Sequence, residues 1–404
     1  MEKDYLGKGR ILLLSSCFIP RATVGVIRAA YFSRHLARKG WIIDVIKYEE
    51  EKDMAIDLTL NIYRLPSYSI YAINPKVCIL KNNFNIGIFK TIVTGLKLSK
   101  YNHYDIIFGT GGPFTNLFTA WAISVLTKIP LVIDYRDPWT SPFPQKLSFK
   151  GIVFNRISRI VEGIITRKSS LVIVTTEKMK ESMIETFPIV SHKIHTVLNG
   201  HTSYDDINVK YSRTIGKIRF VYTGKITKYY IPMKEFIESV KIIEKTRPDI
   251  YDKIEFQFYG SLDKYSSTYF NNAIIRYEGY INREDCQRIQ SEADVLLSLD
   301  NSDTQISTKL FEYIAGQRPI LNITLRNSAA DNLFRDVQGI ITIDYRDING
   351  IANAIIKLAN DILVGNEITP IPKDIDRFSR KAGADKLETL LNELMHRKNT
   401  LGSN

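Results

Sequence analysis

A lysine in the first turn of a helix sits where the helix already presents its own positive end, and that placement points to an anion. The segment Ile306-Ser-Thr-Lys-Leu-Phe-Glu-Tyr-Ile-Ala-Gly-Gln-Arg-Pro319 has this arrangement. Ser307 or Thr308 suits the N-cap, Gly316 the C-cap, and Pro319 follows where a helix has ended. Lys309 then opposes the macrodipole at a penalty of up to about 1 kcal/mol, which a phosphate at that terminus would reverse. Glu312 shares a face with Lys309, so a plain Lys309–Glu312 surface pair is the competing expectation.

Three further segments place reactive or permissive residues after strand-like runs. Ile133-Asp-Tyr-Arg-Asp-Pro-Trp139 ends one such run with polar and aromatic residues. Asp134 is placed to pair with Arg136, and the Arg136 guanidinium is itself suited to phosphate. Gly109-Thr-Gly-Gly-Pro113 is a strand-to-helix glycine loop, but it is not a G-x-G-x-x-G fingerprint and a tight turn is the alternative. Phe18-Ile-Pro-Arg-Ala-Thr-Val-Gly25 is the loop after the first strand, where glycine permits close approach of a ligand to the backbone.

The elements that must hold these residues alternate. Short β-branched runs are expected as strands at Arg10 to Ser15, Trp41 to Lys47, Asn61 to Leu65, Tyr104 to Phe108, Pro130 to Tyr135, Leu171 to Thr175 and Lys193 to Leu198. Longer amphipathic segments lie between most of them, including Val26 to Lys39, Phe114 to Thr127, Leu147 to Lys168 and Glu177 to Phe187. Residues 201–216 are rich in polar and turn-forming types and read as a linker. A second series follows at Ile218 to Thr223, Ile254 to Tyr259, Ile274 to Glu278, Val295 to Leu299, Pro319 to Ile323 and Ile340 to Ile343. Such alternation is the mark of βαβ units and parallel sheets, whose ligands bind at the carboxyl ends of the strands. A final helix, Arg377 to Met395, carries an apolar stripe of Ala384, Leu387, Leu390, Leu391 and Leu394 that must dock. Asp374-Ile-Asp376 at its entry reads as capping rather than as a metal site.

Bulk properties narrow the function classes. At 404 residues the chain exceeds the roughly 250–300 residues that one core supports, so two domains are expected. The division implied is 1–205, 213–375 and a crossover helix with tail over 376–404. Cys17, Cys78 and Cys286 are far apart, and no Cys or His spacing suggests zinc or a disulfide framework. The acidic start lacks the basic-then-apolar order of a signal peptide, and the expectation is a cytoplasmic protein. The 22 uncharged residues between Asp105 and Lys128 are long enough to span a bilayer. Their central glycines and Pro113 make strand, loop and buried helix the better reading.

The net charge of +12 is confined to the first half: residues 1–200 hold 27 basic against 15 acidic residues, and residues 201–404 hold 28 of each. Residues 58–180 alone carry 16 basic and 5 acidic residues. A basic surface of this kind attracts phosphates and anionic headgroups. Phe84 to Lys100 and Lys146 to Lys168 are both basic and amphipathic, as helices lying on anionic membranes are, or as helices packed on a sheet with a solvated lysine face.

Taken together, these segments resemble the retaining glycosyltransferases of family GT4. That resemblance implies a GT-B fold: two Rossmann-like α/β domains with parallel sheets facing across a cleft, and a C-terminal helix returning to the N-terminal domain. By resemblance the donor diphosphate is held by Lys309, by the amides of Ser307 and Thr308, and by Lys225 of Val221-Tyr-Thr-Gly224-Lys225. Lys228 supplies a second cation, Tyr230 standing where the family has its lysine. Gly260 and Gly279-Tyr280-Ile281 mark the next two strand ends, the latter lining the base, and Glu312 accepts from the ribose hydroxyls. Gly25 faces the leaving phosphate. Asp-x-Arg-Asp-Pro-Trp is the form found in a subset of these enzymes, with Asp137 as base or acceptor orienter and Arg136 on phosphate. Thr304 stands where the family's Glu-x7-Glu motif has its first acid, with Asp300 and Asp303 close by.

The expected activity is transfer of a sugar, without metal or other cofactor, from a nucleotide-sugar, UDP favoured. The acceptor implied is a lipid-linked saccharide of a bacterial surface polysaccharide, met at the anionic inner face of the plasma membrane. A nucleotide-sugar 2-epimerase on the same architecture is the nearest rival, although it needs no basic face. A non-catalytic basic scaffold for membrane or nucleic acid is the third reading, and no nucleic-acid motif accompanies the charge.

Overall fold

The computed structural model describes residues 8–16, 18–19, 24–48, 68–73, 86–140, 149–201, 216–227, 231–366 and 375–402. The chain divides into two compact units, one of Met1–Leu198 with Arg380–Asn404 and the other of Asn199–Ser379.

The first unit is a parallel sheet built from β1 (Gly9–Leu14), β2 (Trp41–Tyr48), β3 (Tyr68–Ile73), β4 (Ile106–Thr110), β5 (Leu131–Tyr135), β6 (Leu171–Val174) and β7 (Ile194–Thr196). Its order is β3-β2-β1-β4-β5-β6-β7. Helices cover both faces: α1 (Val24–Arg38), α2 (Ile86–Tyr101), α3 (Thr115–Thr127), α4 (Phe149–Lys168) and α5 (Glu177–Thr186). Because the sheet is buried on both sides, its strands are continuous apolar runs, and period-two alternation sorts each residue to a face. Ile11 and Leu13 of β1 pack with Val26 and Leu36 of α1, while Leu12 and Leu14 pack with Leu117 and Ile123 of α3. The 22 uncharged residues resolve into β4, the glycine loop and α3. Among the described residues no helix is long and apolar enough to cross a membrane.

The second unit repeats the plan with β8 (Ile218–Thr223), β9 (Ile254–Tyr259), β10 (Ile275–Gly279), β11 (Val295–Leu299), β12 (Ile320–Thr324) and β13 (Ile340–Asp344), ordered β10-β9-β8-β11-β12-β13. All pairings are parallel. Its helices are α6 (Met233–Thr246), α7 (Pro248–Tyr251), α8 (Arg283–Glu292), α9 (Thr308–Ala315), α10 (Ala329–Phe334) and α11 (Ile348–Leu363). The last helix, α12 (Arg380–Gly402), belongs to the first unit: Ala384, Leu387, Leu390 and Leu391 join the α1 side of its core.

Both strand orders read 3-2-1-4 through the centre, so each unit has a switch point where successive connections leave in opposite directions. It falls between β1 and β4 in the first unit and between β8 and β11 in the second. Two expectations from sequence fall elsewhere. The strand at 61–65 and most of the linker, 202–215, lie outside the described residues, and the third strand of the first sheet is Tyr68–Ile73.

Candidate functional site

On one side of the switch point of the second unit three neighbouring strands, β8, β9 and β10, end in glycine. Gly224 follows β8, Gly260 follows β9 and Gly279 closes β10, with φ of +143°, +131° and +95°. Each lies in the region that L side chains avoid, so glycine is required here. They are stitched edge to edge: Gly224 N donates to Tyr259 O and Gly260 N to Gly279 O, both at 2.8 Å, and the Tyr277 hydroxyl donates to Gly260 O at 2.8 Å. A Cβ on Gly260 would lie 2.0 Å from the Gly224 carbonyl oxygen. The carboxyl edge of this half-sheet is therefore bare backbone.

Lys309 closes over that edge. Its ammonium donates to the Tyr222 hydroxyl at 2.5 Å and lies 3.8 Å from the centroid of the same ring. A Cβ on Gly224 would come within 3.1 Å of Nζ. The Tyr222 hydroxyl itself donates to the Lys225 carbonyl at 2.9 Å. Lys309 is thus held over β8 by Tyr222, and the expected surface pair with Glu312 does not form, because the ring face and hydroxyl of Tyr222 take the ammonium instead. Burial lowers the Lys309 ammonium to about 8, opposed by Asp300 at the end of β11. Burial in turn raises the Asp300 carboxyl, opposed by the Ser302 amide and by Lys309.

Lys309 is carried by α9, whose N-cap is Ser307 with no side-chain cap bond. Elsewhere in the chain Thr176, Asn282, Ser328 and Asp347 each accept from an amide of the helix they precede. Leu310 N donates to Ser307 O at 3.1 Å, and the amides of Thr308 and Lys309 are left for another acceptor. The helix ends at Gly316, and the residue with left-handed backbone is the next one, Gln317, at φ +52°. Beneath it the Tyr313 hydroxyl receives from Thr223 N at 2.9 Å, fastening α9 to β8 from below. Lys225 is exposed just past Gly224, Tyr280 is exposed past Gly279, and Ile281 and Glu312 are half-buried. Lys228 and Tyr230 lie outside the described residues.

In the first unit the glycine loop after β4 is held by Arg136. Its Nε donates to Gly111 O at 2.5 Å and its Nη2 to Gly112 O at 2.6 Å. Gly112 has φ +79°, and a Cβ there would meet Nη2 at 2.8 Å. Arg136 is therefore spent on loop carbonyls. Asp134, expected to pair with Arg136, is instead fully buried against Arg28 of α1, with Nη2–Oδ1 at 2.9 Å and Nε–Oδ2 at 3.1 Å. The reason is directional: alternation along β5 turns Asp134 into the α1 side of the sheet. Arg28 also donates to Leu198 O at 3.0 Å, tying α1 to the end of this unit. Asn116, in the first turn of α3, accepts from Ser16 at 2.5 Å and donates to Thr110 O at 3.1 Å, bridging β1 and β4 across their switch point. Trp139 stacks on Phe114 with centroids 5.2 Å apart, and Asp137 is exposed between these anchored groups. Gly25 lies in the first turn of α1; residues 20–23 before it are outside the described set.

Residues 25–202 match the model of Glycosyltransferase Family 4. The matched stretch, 178 of the 404 residues, makes up most of the first unit, which is thus similar in sequence to that family. Solved structures share its fold over nearly the whole length. Anabaena Alr3699/HepE, in complex with UDP-glucose, is 13% identical, covers 95% of this chain and 100% of its own, and superposes with a TM-score of 0.64. Sucrose-phosphate synthase from Thermosynechococcus elongatus is 14% identical, with 96% and 100% covered and a TM-score of 0.64. A putative UDP-N-acetylglucosamine 2-epimerase from Listeria monocytogenes is 11% identical, with 97% and 98% covered and a TM-score of 0.58. A comparison with curated proteins finds no match.

Of the residues expected from sequence, the structure gathers Gly224, Gly260, Gly279, Lys225, Ser307, Thr308 and Lys309 around one strand edge. Asp137 and Arg136 lie in the other unit. Tyr222, Tyr313 and Arg28 were missed. An apolar run that ends in Tyr-Thr-Gly gives Tyr222 no separate signal, and Arg28 reads as one more cation on an amphipathic helix.

Proposed function

We propose that this protein is a GT4 enzyme that transfers a sugar, with retention of anomeric configuration, from a UDP-sugar to a lipid-linked saccharide at an anionic membrane surface, in the assembly of a surface polysaccharide. The observation that carries the donor assignment is the meeting of Lys309, the uncapped start of α9 and the three glycines along one strand edge beside the switch point. The lysine and amides receive the diphosphate, the bare edge admits it, and Glu312 accepts from the ribose. Tyr280 and Ile281, beyond Gly279, flank the base. UDP is favoured because structural relatives were solved with UDP and with UDP-glucose.

In retention by front-face attack, the bond from the anomeric carbon to the diphosphate oxygen breaks while the acceptor hydroxyl attacks from the same side. The departing oxygen takes the hydroxyl proton. Negative charge grows on the diphosphate, and Lys309 with the α9 amides stabilises it without a metal ion. Asp137 orients the acceptor hydroxyl, and Arg136 beside it fixes the glycine loop after β4. Asp300, which interacts electrostatically with Lys309, and Asp303 are the two acids that could stand in for the carboxylate Thr304 lacks.

Calorimetry of the full chain against UDP, GDP and their sugars tests the donor, followed by radiolabel transfer to extracted lipid-linked saccharides. Tighter binding of UDP than GDP and label in the lipid fraction are expected. Epimerised sugar appearing without acceptor would instead assign the chain to the 2-epimerase chemistry of its structural relative.

A further inference from the structure

α4 is amphipathic, but its outward face is apolar. One side of it is buried, through Ser158, Glu162, Ile165 and Thr166. On the other side Val153, Phe154, Ile157, Ile160 and Ile164 point to solvent, with Phe154 65%, Ile157 55% and Ile160 62% exposed. Beside this stripe the 3-10 turn Pro188–Lys193 raises Ile189, 77% exposed. Helix and turn enclose a groove of about 500 Å³, walled by Ile160, Phe187 and Ile189 and rimmed by Arg156, Arg159 and Arg167. Arg167 Nε donates to Gly163 O at 3.0 Å, and none of the three guanidiniums forms an ion pair among the described residues.

The geometry points to this face as the surface on which the enzyme docks on an anionic phospholipid bilayer, the apolar stripe entering the acyl boundary and the arginines taking lipid phosphates. Solvent-exposed isoleucines along one side of a 20-residue helix are unfavourable in water and favourable in an interface. Arginine suits the same boundary, since its stem lies along apolar surface while the guanidinium binds phosphate in a fork. A second copy of the chain is disfavoured as occupant, because a two-fold contact through this face would bring the same uncompensated arginines together. The excess of basic residues over 58–180 supplies the long-range attraction. This deepens the membrane-side acceptor proposed above, yet it rests on a surface separate from the donor edge, so each can fail alone.

The full chain is floated with vesicles of phosphatidylcholine, and of phosphatidylcholine mixed with phosphatidylglycerol, at low and high salt. The wild type should float with the mixed vesicles. Arg156→Glu/Arg159→Glu should weaken that partition about tenfold and abolish its salt dependence. Ile157→Ser/Ile160→Ser should weaken it about tenfold at either salt. Both variants should melt with the wild type and bind UDP unchanged, which reads the donor site separately. Absence of wild-type flotation, or flotation of both variants equal to that of the wild type, overturns the proposal. So does sedimentation showing a wild-type dimer that Ile157→Ser/Ile160→Ser dissociates, which would make this face a self-association surface.

Discussion

The Lys309 ammonium is held against Tyr222 twice over, by the ring face at 3.8 Å and by the hydroxyl at 2.5 Å. Neither contact neutralises it, and Asp300, whose own carboxyl is raised by burial, is the acid that acts on it in the unliganded protein. Charge-assisted bonds to phosphate contribute about 1.5–3 kcal/mol each. Lys309→Ala should therefore weaken UDP about 10- to 100-fold by calorimetry, while Tyr222→Phe, which keeps the ring, should stay within a fewfold. Equal binding by wild type and Lys309→Ala would remove the diphosphate from this strand edge.

The same lysine sets a pH limit. Burial lowers it to about 8, so in the unliganded protein its charge is lost as pH rises through that value. An anionic ligand binds the charged form, and UDP affinity should fall about tenfold from pH 7 to pH 9. Lys309→Arg holds its charge throughout and should give a flat profile over that range, whatever its absolute affinity. Parallel profiles for the two proteins would show that another group governs the limit.

Gly260 and Gly279 differ in a way that substitution can read. Alanine at 260 would drive a Cβ to within 2.0 Å of the Gly224 carbonyl oxygen, backbone against backbone, whereas at 279 nothing lies within 4 Å. Both meet an unfavourable φ, worth about 1–2 kcal/mol. Gly279→Ala should show about that loss alone in denaturant titration. Gly260→Ala should lose clearly more and also displace Lys309's support at Gly224, reducing UDP binding.

Much of this was legible beforehand, because parallel strands buried on both faces are continuous apolar runs. Ile218 to Thr223 and Val295 to Leu299 coincide with β8 and β11 to the residue. Strand ends are also where glycine must appear, so Gly224, Gly260 and Gly279 stood out. Side-chain direction was not legible. Asp134 and Arg136 are two apart on one strand edge and read as partners, but the pair that forms is Arg28 with Asp134, set by how α1 packs on β5. Lys309 and Glu312 likewise suit a helical pair, and the tertiary partner Tyr222 prevails. Tyr68–Ile73 escaped notice because its alternation is weak beside the longer runs around it.

The Arg28–Asp134 pair has a testable energy. Both groups are buried, and Thr110 adds a third bond to the carboxylate at 3.2 Å. Arg28→Met should cost about 3–5 kcal/mol, since it strands a buried charge. Adding Asp134→Leu should recover much of that loss by removing the unpaired carboxylate. Urea titration of the two variants measures the difference, and strictly additive losses would contradict a coupled pair.

Glu162 supplies a second pH dependence, opposite in kind to that of a paired carboxylate. It lies buried on α4, accepting from the Thr140 hydroxyl just past Trp139, and burial raises it to about 7 despite that bond. Between its ordinary value and 7 the folded state keeps a proton that the unfolded chain releases. Stability from this group is therefore fully present at low pH and lost as pH rises toward and past 7, by roughly 2–3 kcal/mol at pH 8. Glu162→Gln keeps an acceptor for Thr140 and removes the titration. Its stability should match the wild type near pH 5 and exceed it at pH 8, and identical slopes of unfolding free energy against pH would show that Glu162 is ionised in the fold throughout.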